Sequence, residues 1–279
     1  CHYVWRLPGD DRLLGSDNFN KVHAPGNGPF DDDTTQREQT VYWMARQMGM
    51  PWLYRRFVNV YVNGSKRRKL MEDTQVPGGD FVSSYYPQDD QGDLYKINPW
   101  FEFESGTGTS IGFNNVAWAD LNDYRGSDGQ RKISRYRWNW QPRAANGTVN
   151  NYTNFFALLD AASSPTDEDF IRAMESQADI GQWLRVFALN HAVGNWDSFG
   201  NRNAQNMYTY TPQQGRWQLF MWDANIVLGN SGSDGPTGDD LFQYNFSDGP
   251  MGRLYAIPQF RRAYLRALKE VADGPMLPG

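Results

Sequence analysis

The chain reads as an α+β fold in two parts: a small β-rich N-terminal part carrying one glutamate-bearing helix, and a larger, mainly helical C-terminal part with long loops. Three observations predict this. Val58, Val60 and Val62 alternate with Asn59 and Tyr61 and run into Asn63-Gly64, a strong two-residue hairpin signal, before Lys69-Leu70-Met71-Glu72. Val41, Met44, Ala45 and Met48 recur at the i, i+3, i+4, i+7 spacing of a helix with one inward stripe. The C-terminal half repeats that helical spacing several times around a second hairpin. At 279 residues the chain can bury a sizeable core, as one large domain over 1–279 or a two-lobed one, the lobes then falling at 1–75 and 76–279.

In chain order, Tyr3-Val4-Trp5-Arg6-Leu7 and Arg12-Leu13-Leu14-Gly15 read as a strand and a turn. The first strong helix starts near Asp33, an N-cap with Gln36 three residues on, and stops at Gly49 and Pro51. Glu38 borders its apolar stripe, where an unpaired carboxylate is costly, so it should meet a basic partner. A glutamate favoured by the macrodipole of a helix start is the plain alternative. The linker between lobes falls near Met71 to Gly79. From Gly78 to Asn150 the sequence is loop-rich, punctuated by Trp100, Phe101, Phe103, Trp118, Trp138 and Trp140, which pack long loops or present a carbohydrate- or peptide-binding face. Ser164-Pro165 opens a helix with Phe170, Ile171 and Met174 inside. Asp179 caps another, with Trp183, Leu184, Phe187, Ala188 and His191 on one face. His191 reads as a satisfied core histidine or as a group that orients the loop after it. Asn230 to Gly249 is a loop suited by position to substrate, and Pro258 opens a last helix ended by Gly274-Pro275.

The stretch Val193 to Gly229 carries the chemistry. Met207 to Tyr210 and Arg216 to Trp222 alternate around Thr211-Pro212-Gln213-Gln214-Gly215, a second hairpin. Its antiparallel strands bring Asn206 and Asp223 to one end, and Asp197 lies in the polar loop that feeds it. An Asp in a loop, an Asn, and a hairpin ending in Asp is the layout protein kinases use for the catalytic base and two magnesium ligands. An ordinary polar loop on a hairpin is the competing reading.

These residues also resemble a known family. Gly194-Asn195-Trp196-Asp197 through Tyr210, followed by Trp217 to Gly229 with its Trp222-Asp223 pair, is similar to the core signature of the CotH family of atypical, secreted or spore-coat protein kinases. Asp33-Thr34-Thr35-Gln36-Arg37-Glu38, Arg46 to Pro51, Val60 to Gly64, Gly92 to Lys96 and Pro258 to Arg261 fall in the family's order. The resemblance implies a two-lobed, protein-kinase-like fold that moves the ATP γ-phosphoryl to a protein Ser or Thr hydroxyl. Asp197 would act on the acceptor, Asn206 and Asp223 would hold Mg2+, and Glu38 would fix a phosphate-binding cation; Mn2+ or Ca2+ would suit the same oxygen ligands. Glu72 resembles an acidic residue near the nucleotide base. The family's ATP-contacting Lys falls at or before Cys1 here, so that either this Lys is missing from the sequence or its role passes to Lys21 or Arg6. Asn225 stands where the family often has a second acid. The resemblance also implies a secreted, cell-surface or spore-coat setting.

Composition narrows the rest. A net charge of -5 argues against a nucleic-acid partner, the run Lys66 to Lys69 apart. One Cys and three His exclude an intrachain disulfide and leave little for a Cys/His metal site. No apolar run is long enough to cross a bilayer. The chain begins on Cys1, which reads as a trimmed or processed form, with a lipidated Cys of a lipoprotein as the other option. Two rivals to the kinase stand: a catalytically impaired pseudokinase or structural surface protein, and a glycan-acting enzyme using paired carboxylates.

Overall fold

The computed structural model describes residues 3–8, 10–13, 18–24, 36–103, 113–143, 151–229 and 240–277. Helices and antiparallel sheets alternate along the chain. The first sheet combines β1 (Tyr3–Arg6), β2 (Asn18–Ala24), β3 (Arg55–Val62) and β4 (Ser65–Thr74) in the order β1-β2-β4-β3. The turn between β3 and β4 is Asn63-Gly64, with φ of 51° and 77°; two left-handed residues match the twist of the strands they join. The register shifts between Val58 and Val60, a bulge that bends β3.

Helix α1 (Arg37–Gln47) crosses between β2 and β3. The expected cap, Asp33, lies outside the described residues, and the helix begins after Gln36, which makes no side-chain cap bond. Its end follows the sequence signal. Gly49 takes φ 66°, the Gly49 amide bonds Arg46 and the Met50 amide bonds Ala45, a Schellman closure. Val41, Tyr42, Met44, Ala45 and Met48 are buried, as the stripe predicts.

The stretch read as loops holds regular structure instead. It contains α2 (Gly79–Tyr85), β5 (Asp93–Ile97), β6 (Trp100–Phe103), β7 (Phe113–Ala117), α3 (Ile133–Asn139) and β8 (Trp140–Pro142). The aromatics have different fates: Trp140 is fully buried, its ring 4.6 Å from Phe155 and 5.3 Å from Phe199, whereas Trp138 is exposed. β6 pairs with β7.

Five helices and a hairpin follow: α4 (Thr153–Ala162), α5 (Asp167–Gln177) and α6 (Ile180–Ala192), then β9 (Met207–Thr211) with β10 (Gln218–Met221), then α7 (Gly249–Ala256) and α8 (Pro258–Asp273). Thr166, not Ser164, caps α5 by accepting from the Asp169 amide; Asp179 caps α6 through the Gln182 amide, as its position predicts. The second sheet runs β10-β9-β5-β8. One core cluster joins α1 to this sheet and to α6, α7 and α8. Among the described residues no helix is long and apolar enough to cross a membrane.

Candidate functional site

The hairpin sets the frame. Met207 lies opposite Met221, so Asn206 and Trp222 leave the same end of the pair and Asp223 follows at once. β9 is buried along its whole length because β10 and β5 flank it, which fixes that end rigidly. Both exit residues are left-handed, Asn206 at φ 52° and Asp223 at φ 57°. Asn and Asp tolerate that region better than other side chains, and such conformations gather where a side chain must be aimed.

Asp197 sits in the loop that leaves α6. Gly200 in the same loop has φ 90°, and a Cβ there would fall 2.3 Å from the Phe187 ring, so only glycine lets the loop lie flat on α6. Asp197 is only 8% exposed, recessed rather than at the lip of a cleft. Its Oδ1 accepts from Asn203 Nδ2 at 2.8 Å and from Gln205 Nε2, and its Oδ2 accepts from Asn206 Nδ2 at 2.8 Å. Three of its roughly four acceptor directions are thus occupied, leaving about one on Oδ2. Burial raises the Asp197 pKa, and the three neutral amides offset only part of that.

Asp223 is open to solvent, yet protein crowds it on its other sides. Burial first, then the Glu38 carboxylate, push its pKa up to about 6; Lys96 and Arg55 pull it down and Asp197 pushes it up. Water that reaches the group screens these effects.

Glu38 brings α1 to the same place. Its Oε1 accepts from Tyr42 Oη at 2.9 Å and from the Ala224 amide at 3.1 Å, tying the helix to the residue after Asp223. Its Oε2 pairs with Arg55, which also holds Glu72 Oε2 at 2.8 Å, while Gln39 Nε2 donates to Glu72 Oε1 at 2.7 Å. The cation that meets Glu38 is therefore Arg55 of β3. Arg6 is exposed on β1; Lys21 stands in β2 opposite Asp73, and its side chain lies outside the described residues. Glu72, expected near a nucleotide base, is buried with both oxygens engaged. Arg55 was legible: counting back from the Asn63-Gly64 turn without a bulge sets it opposite Glu72, and the bulge makes the pair diagonal.

His191 is a core histidine, its ring nitrogens 2.9 Å from the Phe187 carbonyl and 2.8 Å from that of Gln243. A cavity of about 140 Å³ lies behind α1, lined by Gln39, Tyr42, Trp43, Arg46, Trp52, Leu53 and Arg55. Neither Asp197 nor Asp223 lines it.

The donor chemistry of the hairpin end suits a hard divalent cation. Because Asn206 Nδ2 is turned to Asp197, its Oδ1 points elsewhere, and Asp223 supplies a carboxylate whose neighbours leave it rich in negative charge. Among the described residues no group of three or more His, Cys, Asp or Glu side chains is disposed to hold a metal. One carboxylate and one amide fit a cation that completes its shell with phosphate oxygens and water. No curated protein matches the chain. A family model does: the one described as CotH kinase protein matches residues 19–279.

Proposed function

The chain belongs to the CotH kinase protein family, and from that premise we propose that it transfers the γ-phosphoryl group of ATP to a Ser or Thr hydroxyl of a protein. The observation that carries this reading is the hydrogen bond between Asp197 and Asn206 at a hairpin end that also presents Asp223. In this reading residues 1–75 and 76–279 are the two lobes of a kinase-like fold, and the setting is secreted, cell-surface or spore-coat.

Asp197 takes the acceptor's hydroxyl proton on Oδ2, the oxygen with a direction to spare, while Asn203, Gln205 and Asn206 hold the carboxylate in place. The acceptor oxygen forms the new bond to phosphorus. The bond from phosphorus to the bridging oxygen breaks, and its electron pair leaves with ADP. Asn206 and Asp223 would hold Mg2+, which when bound neutralises charge on the phosphates; Mn2+ or Ca2+ would use the same oxygens. Glu38 keeps α1 against the loop that presents Asp223, through the Ala224 amide.

A second reading is a nucleotide-binding protein without transfer, such as a pseudokinase in a surface or coat layer. Arg55 favours it, because its guanidinium is held between Glu38 and Glu72 rather than open toward a phosphate. The two separate in one experiment: labelled-ATP transfer to a casein-like or self substrate, run beside calorimetric titration of ATP with Mg2+. The kinase requires transfer by the wild type, loss of transfer with retained binding in Asp197→Asn, and loss of metal-dependent binding in Asp223→Asn. Binding without transfer to any acceptor leaves the pseudokinase; no binding at all leaves only the fold.

A further inference from the structure

One cation near Asp223 has no role in the account above. Lys96 lies on β5, opposite Tyr208 of β9 on one side and Gln141 of β8 on the other. Directly paired residues share a sheet face, so Lys96 stands on the face that carries Tyr208 and Phe220. Tyr208 in turn meets the ring of Trp222 at 5.7 Å, and Trp222 is the residue before Asp223. The sheet thereby sets Lys96 one strand away from the hairpin end with Asn206 and Asp223.

Its charge environment is unusual for a half-buried lysine. Among the described residues no carboxylate forms an ion pair with it. Burial lowers its pKa, the guanidinium of Arg143 lowers it further, and only Asp223 raises it. Arg143, whose guanidinium donates to Gln141 Oε1 at 2.9 Å, also acts to lower the pKa of Tyr208. Lys96 thus has one cation and one carboxylate acting on it, and that carboxylate is the one assigned above to a metal. A half-buried ammonium without a paired carboxylate is costly unless an anion completes it. Arg55, the other candidate, is already held by Glu38 and Glu72.

We propose that Lys96 is a catalytic residue whose ammonium contacts the terminal phosphoryl group of the nucleotide, beside Asp223. The inference rests on the phosphotransferase reading. A compact ammonium with three donors can follow phosphoryl oxygens as they move from the bridging oxygen to the acceptor, and stabilise the charge they carry.

The test compares ATP with ADP, which differ by the group Lys96 is said to touch. Calorimetric titrations with Mg2+ present are run on the whole chain as wild type, Lys96→Met and Lys96→Arg, with cooperative thermal unfolding checked for each. Expected is a loss of about tenfold or more in ATP affinity for Lys96→Met, ADP affinity within about twofold of wild type, and partial recovery of ATP affinity in Lys96→Arg. Lys96→Gln gives the same readout should the Met variant fail to unfold cooperatively. An unchanged ratio of ATP to ADP affinity in Lys96→Met overturns the proposal, as does an equal loss for both nucleotides, which assigns Lys96 to Asp223 alone. A wild type that binds neither nucleotide overturns the parent reading and this one together. A wild type that binds both without transfer overturns catalysis, the catalytic role of Lys96 included, while the ratio still decides the phosphoryl contact.

Discussion

Two groups of acids meet near Ala224, and they are handled in opposite ways. Around β3, Glu38 and Glu72 share the guanidinium of Arg55, with all three side chains nearly buried. At the hairpin end, Asp197 is bound only by neutral amides and Asp223 has like charges among its close neighbours. The first group has an ion-paired cation, although burial still raises the Glu72 pKa; the second has no ion pair among the described residues, and burial raises the pKa of both its carboxyls. Acid chemistry is therefore expected where the fold provides no ion pair, and scaffolding where it does.

The comparison is broken hardest at Arg55. Arg55→Met leaves two buried carboxylates without a cation and should cost about 3–5 kcal/mol in urea unfolding. Asp223→Asn should do the reverse to the metal-free protein. Its folded pKa of about 6 lies above the unfolded value of about 3.9. Its favourable contribution is thus complete below the unfolded pKa and lost as pH rises through the folded one. Removing the charge should raise the midpoint of thermal unfolding at pH 7.5, and a fall as large as that of Arg55→Met would erase the distinction between the two groups.

Next in size is Asp197→Asn, which should slow transfer by about a hundredfold or more in a single-turnover assay. Thermal unfolding should barely register the change. A smaller effect follows from protonation of Asp223. Proton and metal compete for this carboxylate, so Mg2+ affinity measured by titration should fall about tenfold when pH is lowered from 7 to 5 through the pKa of about 6. Affinity independent of pH over that range would remove Asp223 from the metal site. The smallest concerns Asn203→Ala. Losing one of three donors raises the Asp197 pKa further, and the acidic limb of the pH–rate profile should move to higher pH.

What the sequence made legible was local. Asn63-Gly64, the cap at Asp179, the closure at Gly49 and the opening of α8 at Pro258 each act over a few residues, so each can be read from a few residues. β5 could not be read this way. Its alternation is broken by three buried residues in five, and its partner strand lies more than a hundred positions on, with Lys96 opposite Tyr208. β8 has three residues and owes its conformation wholly to that pairing. At the site, the carboxylates and Asn206 stood out in the pattern and Arg55 could be found by counting from its turn, while Lys96 did not stand out, because its partners lie on distant strands. The amides of Asn203 and Gln205 were visible as a polar run after Asp197, and what they bond emerges only from the fold of the loop.

The bond from the Ala224 amide to Glu38 joins residues 186 positions apart. During synthesis at about 5–20 residues per second, α1 leaves the ribosome roughly 10–40 s before its last partner has been made. Glu38, Arg55 and Glu72 can assemble in that interval, being close in sequence, whereas the loop that presents Asp223 does not yet exist. The hairpin end is completed only when most of the chain is present. A truncated or stalled product that ends after Glu72 and before Asp223 therefore contains every residue of the ion-paired group and lacks a residue of the pair assigned to the metal.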